Sequence, residues 1–240
     1  MIVAMPSIIV LMGPQGAGKG TQAKRLAESF CLPIVATGDM LRDVAREETD
    51  LGRLVRANQA AGQLVSDEIL AGVISERTSK QDCLGGYILD GFPRTITQAT
   101  LLENIALDQG HRISVVKVDV PTELLHQRLA GRLTCAKCGA IYNVNSKPSL
   151  REGVCDLDGG PLFTRSDDNE TAIAHRLALY EENTRPLLDY YDKSGRLRTV
   201  DGTGAPEDVA ARIAGAVSRG SKPMAVDAQP PQATIEDGRL

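Results

Sequence analysis

The sequence is poor in aromatic residues, which make up 3% of its 240 residues, and it has no tryptophan. Aliphatic side chains must therefore build the core, and the hydrophobic content of 42% is that of an ordinary soluble protein. Positive charge is also scarce, because 27 Lys and Arg face 31 Asp and Glu, for a net charge of −4. Bulk nucleic acid requires a basic protein face, so this balance argues against it as a partner.

Long hydrophobic runs are missing as well, since none approaches the roughly 18–20 apolar residues of a membrane span. The apolar residues 1–12 could be mistaken for a signal peptide, but they lack a basic start, Pro6 interrupts them, and they lead directly into a glycine-rich motif. We interpret residues 8–12 as a buried strand. We expect a cytoplasmic protein with no membrane partner.

The five cysteines are an odd number, which does not suit a disulfide framework. In a chain expected in the cytosol, metal binding or free thiols are favoured instead. Cys31 and Cys83 stand alone in the sequence, and we expect both to be small buried hydrophobic residues. The other three cysteines are clustered.

Short β-branched runs alternate with longer helical patterns along the chain, which predicts βαβ units and an α/β fold with a parallel sheet covered on both faces. Asp167 and Glu170 form a start signal for the helix predicted at residues 170–191, and Pro186 should break or kink that helix. The predicted strands are residues 8–12, 33–36, 87–90, 115–120 and 198–200, and the predicted helices are 19–29, 67–80, 122–130 and 170–191.

Two stretches do not fit this alternation and are interpreted as insertions into the core. The first is helical and polar, and the second is rich in glycine, proline, cysteine and turn residues. After residue 218 the periodicity is lost, which predicts a disordered tail. The expected division is core 1–36, first insertion 37–66, core 67–130, second insertion 131–168, core 169–218 and tail 219–240.

A glycine-rich motif follows the first predicted strand, with Lys19 at the start of the next helix. Glycines allow successive backbone N–H groups to point into one anion site, and the helix adds the positive end of its dipole. Lys19 supplies a cation that can follow the phosphate charge. A simple glycine-rich turn is the alternative, but the strand, lysine and helix together favour a phosphate-binding loop. Its candidate residues are Gly16, Ala17, Gly18, Lys19, Gly20 and Thr21.

Four motifs in this order resemble the adenylate kinase family, within the nucleoside monophosphate kinases. They are GKGTQ from residue 18, TGDMLR from residue 37, GQLV from residue 62 and DGFPRT from residue 90, with Gln98 beyond. The resemblance covers residues 8–214. It implies a P-loop NTPase fold with a five-stranded parallel sheet and two mobile insertions, one for AMP and one serving as a lid. Gln15 departs from the family, which usually has proline there.

The resemblance also implies a reaction, in which Mg²⁺-ATP and AMP give two ADP reversibly. Arg42 and Arg94 would grip the AMP phosphate, since a guanidinium matches phosphate oxygens, while Thr37 and Gln98 would contact adenine. Asp90 would hold Mg²⁺ through water, with help from Asp39. The rest of the implied AMP pocket is Gln63, Leu64, Val65, Gly91, Phe92 and Pro93.

The second insertion contains a CxxC pair and, sixteen residues later, a CxxD pair, a spacing suited to tetrahedral Zn²⁺. Four protein ligands would make the metal structural. A disulfide, free thiols and a nucleic-acid-binding zinc ribbon are the alternatives. The candidate ligands are Cys135, Cys138, Cys155 and Asp158.

Arginines flank the second insertion and could neutralise the migrating phosphoryl group when a lid closes. By resemblance Arg132 contacts ATP phosphates, while Arg165 and Arg176 contact AMP and the transferred group. Arg128 would either join the ATP site or form part of a solvated basic face. Around the ATP base and ribose, the resemblance implies Ile141, Tyr142 and the backbone near Gly204.

Three other functions stay open on the sequence alone. A related kinase would use another nucleotide pair, such as GTP as donor. A regulatory P-loop module would bind nucleotide without making ADP, and a zinc-ribbon interaction protein would not need Lys19. We expect a monomer, because no apolar seam is evident.

Overall fold

The structure, a computed structural model, describes residues 6–60, 65–164, 168 and 170–219. The side chains of residues 39, 42, 58–60, 68, 176 and 219 lie outside this description. The strands are β1 (Ser7–Met12), β2 (Ile34–Ala36), β3 (Gly86–Asp90), β4 (Arg112–Asp119), β5 (Arg132–Cys135), β6 (Ile141–Asn143), β7 (Leu162–Phe163) and β8 (Leu197–Asp201). The α-helices are α1 (Lys19–Phe30), α2 (Thr37–Arg46), α3 (Asp50–Ala60), α4 (Asp67–Thr78), α5 (Ile96–Gln109), α6 (Thr122–Ala130), α7 (Glu170–Leu179), α8 (Pro186–Lys193) and α9 (Pro206–Arg219).

Five strands form one parallel sheet in the order β2-β3-β1-β4-β8. Strand β1 lies at its centre, with β3 on one side and β4 on the other. The five strands that the sequence predicts are all present, with ends shifted by up to three residues. The predicted α/β fold with a five-stranded parallel sheet is therefore confirmed.

The central strand is buried on both faces, which explains its unbroken apolar sequence. Successive side chains of a strand point to opposite faces. Ile8 and Val10 accordingly pack in one core with Tyr87, while Ile9 and Leu11 belong to the other. The first core includes residues of α4, α5 and α8, and the second includes residues of α1, α6 and α9. This double cover fixes the carboxyl edge of the sheet, where β1 leads into the glycine-rich loop.

The predicted helix 170–191 is interrupted. Helix α7 ends at Leu179, a π-helical turn follows at Tyr180–Thr184, and α8 begins at Pro186. Proline has no N–H and its ring clashes with the carbonyl four residues earlier, so the regular pattern fails there. Arg185 N–H instead bonds to the Tyr180 carbonyl at 2.9 Å. The predicted break at Pro186 is confirmed, while the start signal at Asp167 lies outside the described residues.

The second insertion contains a small antiparallel sheet in the order β6-β5-β7, which the sequence did not predict. These strands have only two to four residues, too few for an alternating pattern to be recognised. The first insertion carries α2 and α3, which pack around Ala45, Val55 and Val65. The predicted tail lies outside the described residues, apart from Arg219 at the end of α9.

The isolated cysteines differ from each other. Cys83 is fully buried, as expected, and its burial raises the pKa of its thiol. Cys31 is exposed, so the prediction that it is buried is wrong. It caps the end of α1 with a positive φ of 53°, and this turn directs the chain out of the helix.

Candidate active site and metal cluster

The loop between β1 and α1 folds as a cradle at the carboxyl edge of the sheet. Gly13, Gly16 and Gly18 all have positive φ, at 143°, 85° and 91°. The ammonium group of Lys19 donates hydrogen bonds to the carbonyls of Gly13 at 2.8 Å and Pro14 at 3.0 Å. Lys19 thus folds back over the loop at the start of α1, the place where its dipole and backbone N–H groups favour an anion.

Two of these glycines are required by space as well as by backbone angle. A Cβ atom on Gly13 would stand 2.7 Å from the carbonyl oxygen of Val118 in β4. One on Gly16 would stand 3.1 Å from the carbonyl oxygen of Leu125 in α6. The loop is therefore in close contact with β4 and α6, which leave no room for a side chain at either glycine.

Arg128 fastens the same loop from outside. Its guanidinium donates to the carbonyl of Gly16 at 3.4 Å and to that of Gly202, which follows β8, at 3.2 Å. Burial lowers the pKa of Arg128. Arg128 is therefore not part of a fully solvated basic face. Its side chain connects the glycine-rich loop to the end of the edge strand β8.

A carboxylate lies beside the cradle at the end of β3. A Cβ atom on Gly20 would stand 3.4 Å from Asp90 Oδ2, so the first turn of α1 lies next to the carboxylate. Oxygen ligands of this kind suit Mg²⁺. Thr21 is exposed on the same first turn, and the side chain of Asp39 lies outside the described part of the chain.

The residues assigned to the acceptor meet at Gly91, directly after Asp90. A Cβ atom on Gly91, whose φ is +88°, would stand 2.9 Å from Thr37 Oγ1 and 3.2 Å from an Nη atom of Arg94. Arg94 Nε also donates to the Gly91 carbonyl at 2.8 Å. Burial lowers the pKa of Arg94 and Asp90 partly opposes this shift, but an arginine stays charged near neutral pH. A hydroxyl and a guanidinium are thus brought together around one glycine.

Gln98 supports this corner from helix α5 and is almost completely buried. Its Oε1 accepts the backbone N–H of Arg94 at 2.7 Å, and its Nε2 donates to Asp67 Oδ1 at 2.7 Å. Thr95 caps α5 by accepting the N–H of Gln98. Asp67, which the sequence reasoning did not single out, orients the amide. No local pattern marks it, because it lies 31 residues from Gln98.

The remaining acceptor candidates divide into buried and undescribed groups. Phe92 and Pro93 are buried beneath the Gly91 turn, and Val65 packs between α2 and α3. Gln63, Leu64 and Arg165 lie outside the described residues, as do the side chains of Arg42 and Arg176.

A buried ion pair joins the two ends of the second insertion. Arg132, at the start of β5, donates from Nε to Asp168 Oδ2 at 2.7 Å and from Nη2 to Asp168 Oδ1. The Asp168 side chain has no exposed surface. The sequence reasoning missed Asp168, because its partner lies 36 residues away and only the folded chain brings the two together. The pair fixes the direction in which Arg132 leaves the strand.

The four candidate metal ligands converge, with their ligand atoms all within 4.8 Å of one another. Cys138 Sγ lies 3.6 Å from Cys155 Sγ, and Cys135 Sγ lies 3.3 Å from Asp158 Oδ1. Zn–S and Zn–O bonds of about 2.3 and 2.0 Å in a tetrahedron require separations of about 3.8 and 3.5 Å. The cluster therefore fits one zinc-sized ion, and the sulfurs are too far apart for a disulfide.

Backbone N–H groups already orient two of these ligands. Gly160 N–H bonds to Asp158 Oδ1 at 2.8 Å and lowers the pKa of that carboxyl to about 2. Lys137 N–H points at Cys135 Sγ at 3.4 Å. The cluster is a preformed set of three sulfur donors and one carboxylate donor, as a structural metal site requires.

The candidates for the ATP base lie at two separate places. Ile141 and Tyr142 are on β6, and the Tyr142 ring is buried next to the metal cluster. Gly204 follows β8, with a positive φ of 92°.

Among the described residues, none of the helices combines the length and the apolar character of a membrane span.

Comparisons with known proteins agree with this geometry. A sequence model of the family described as adenylate kinase matches residues 11–196. An adenylate kinase of Syntrophobacter fumaroxidans is 46% identical over 206 residues, covering 85% of this chain and 97% of the relative. One from Staphylococcus aureus (strain Mu50 / ATCC 700699) is 44% identical over 202 residues, covering 84% and 94%. One from Carboxydothermus hydrogenoformans is 44% identical over 212 residues, covering 88% and 99%.

Proposed function

Since this chain belongs to the adenylate kinase family and is a nucleoside monophosphate kinase, we propose that it transfers a phosphoryl group from Mg²⁺-ATP to AMP. The products are two ADP molecules, and the reaction is reversible. This proposal rests on the position of Asp90 between the phosphate cradle and the Gly91 corner. Gly20 of the cradle lies on one side of it, and the Gly91 corner with Thr37 and Arg94 follows it directly.

The donor triphosphate occupies the cradle between residues 13 and 21. Backbone N–H groups from Gly16 to Thr21 bind the phosphates, and Lys19 turns from its loop carbonyls to phosphate oxygens. Arg128 holds the loop and borders the site, with Ile141, Tyr142 and the Gly204 backbone around the base and ribose. Asp90 and Asp39 would hold Mg²⁺ through water, and the ion would supply positive charge to the phosphate oxygens.

The acceptor AMP lies between the first insertion and the Gly91 corner. Arg94 and Arg42 bind its phosphate, and Thr37 and Gln98 contact adenine. The chain from Gln63 to Val65 and from Gly91 to Pro93 completes the pocket. Because Asp67 and the Arg94 N–H already engage both ends of the Gln98 amide, that side chain is fixed before AMP arrives.

Phosphoryl transfer between the two nucleotides requires that they be positioned, and it does not require covalent catalysis by the protein. The attacking AMP phosphate oxygen is already ionised, so no strong general base is required, and the phosphoryl group passes in line with no enzyme-bound intermediate. Arg132, Arg165 and Arg176 neutralise the migrating charge when the second insertion, residues 131–168, closes as a lid. Closure with the first insertion, residues 37–66, also excludes water that would otherwise hydrolyse ATP.

Cys135, Cys138, Cys155 and Asp158 would hold a Zn²⁺ ion that serves the lid as a structural element. With four protein ligands, no coordination position would be left for a reacting group. Because thiolate ligands persist in a reducing compartment, we place the enzyme in the cytoplasm. We also propose that it is a monomer.

The proposal is tested by a coupled assay across nucleotide pairs. With Mg²⁺, ATP and each of AMP, CMP and UMP, we expect efficient diphosphate formation with AMP alone, and ATP should outperform GTP as donor. Better turnover with another pair would reassign the substrates within the family. Nucleotide binding without any diphosphate product would indicate a regulatory module instead.

A further inference from the structure

The hydroxyl of Tyr142 lies against the metal cluster. Tyr142 is only 3% exposed, and its oxygen is 3.4 Å from Cys155 Sγ. The same oxygen accepts a hydrogen bond from the backbone N–H of Asp156 at 2.8 Å. The tyrosine thus contacts two consecutive residues of the second ligand turn.

The direction of the contact with Cys155 follows from the donors available. A phenol has one proton, and the Asp156 N–H is itself a donor, so the tyrosine proton is left for Sγ. A metal-bound cysteine is a thiolate, which can accept a hydrogen bond but has no proton to donate. Tyr142 therefore donates to the ligand sulfur when the metal is bound.

Backbone N–H groups contact two of the other ligands. Cys135 Sγ faces the N–H of Lys137, and Asp158 Oδ1 faces that of Gly160. These groups belong to the ligand turns themselves. Tyr142 comes from strand β6, which pairs with β5, and it joins β6 to the second ligand turn across 13 residues of sequence.

We propose that Tyr142 is a positioning residue of the metal site, which orients Cys155 Sγ and fastens the second ligand turn to β6. This role rests on the proposed metal site. Partners that orient metal ligands typically change metal affinity by about 10–100-fold when removed. Because β6 also carries the residues assigned to the ATP base, the same contact joins the metal to the nucleotide-binding part of the lid.

The test removes one oxygen atom and measures the metal directly. Tyr142→Phe keeps the ring, and its affinity for Zn²⁺, measured by competition with a chromophoric chelator, should fall about tenfold or more. Tyr190→Phe is the matched control. Its half-buried hydroxyl donates to Glu103 at 2.8 Å, far from the cluster in sequence, so the control should retain wild-type metal affinity.

Tyr142→Phe also leaves the Asp156 N–H without this acceptor, which could destabilise the protein whether or not metal is bound. Thermal unfolding with and without Zn²⁺ separates this structural effect from a loss of ligand positioning. The rise in Tm caused by Zn²⁺ should shrink in the variant relative to wild type, since ligand-linked stabilisation follows affinity. Unchanged Zn²⁺ affinity, with equal losses of Tm in the loaded and stripped proteins, would overturn the role. A wild-type protein that takes up no Zn²⁺ would remove the metal site and this role together.

Discussion

Arg132 and Asp168 form a two-point ion pair whose carboxylate is completely shielded from solvent. The residues stand at opposite ends of the second insertion, 36 positions apart. The pair holds the guanidinium in one orientation and ties the two ends of the insertion together. An arginine that must meet phosphate on closure is thereby positioned in advance.

Replacing Asp168 with asparagine tests this pairing. The variant leaves Arg132 without its counter-charge, and breaking such a pair costs about 3–5 kcal/mol when it is buried. We expect a lower Tm and a higher KM for ATP, with a smaller change in KM for AMP. Chemical denaturation and steady-state kinetics measure both. Asp192→Asn, at an exposed position of α8, is the control, and wild-type values in both variants would contradict the pairing.

Lys19→Met removes the cation of the cradle. The rate should fall by orders of magnitude because the charge of the migrating group loses its partner, while circular dichroism should show an intact fold. Lys24→Met, on the exposed side of the same helix, should keep near-normal activity. Substantial activity in Lys19→Met would remove Lys19 from its assigned role.

Gly91→Ala places a methyl group between Thr37 and Arg94. The contact of 2.9 Å with Thr37 Oγ1 forces the acceptor corner apart, so KM for AMP should rise about tenfold or more, equivalent to about 1.4 kcal/mol. Gly110→Ala is the matched control, since its φ is also positive at 66° but open space surrounds it. It should lose about 1 kcal/mol of stability through backbone strain and keep its KM for AMP. An equal rise of KM for AMP in both variants would contradict the prediction, because it would show that backbone strain, and not crowding of Thr37 and Arg94, changes KM.

Metal removal should affect stability more than rate. A chelator, or Cys138→Ser, is expected to lower Tm while most activity at moderate temperature survives, because the ion holds the lid but touches no reacting group. Calorimetry and initial rates give the two quantities. Cys31→Ser, which changes an exposed cysteine outside the cluster, should leave both unchanged. Equal Tm values with and without chelator would refute a structural metal.

Gln15→Met addresses the loop position where the family usually has proline. The side-chain oxygen of Gln15 is buried and has no hydrogen-bond partner among the described residues. Replacing it with an apolar group of similar length removes that penalty, so the free energy of unfolding without nucleotide should rise by about 1 kcal/mol. A destabilised variant would show that the oxygen is satisfied in solution.

The sequence predicts those parts of the fold that local patterns encode. Strand β1 is an unbroken apolar run before glycines, and Pro186 cannot continue a helix, so both were predictable. Strand β7 has two residues and no pattern, and it exists because it pairs with β5. The exposure of Cys31 depends on a left-handed cap that apolar character does not indicate.

The candidate site divides in the same way. Motifs identify the cradle, the Gly91 corner and the metal ligands, because their spacing is local. Asp67 and Asp168 could not be assigned, since their partners are 31 and 36 residues away and only the folded chain brings them together. Supporting side chains of this kind are specified by tertiary contacts, and single-sequence patterns do not contain them.

The central claim is that the cradle at Lys19 and the corner at Gly91 form one phosphotransfer site. Phosphorus NMR of the protein with Mg²⁺, ATP and AMP measures this most directly. The account predicts that two ADP form for each ATP and AMP consumed, with no release of inorganic phosphate and no reaction in Lys19→Met. Inorganic phosphate as the main product, or unchanged ATP and AMP, would contradict it.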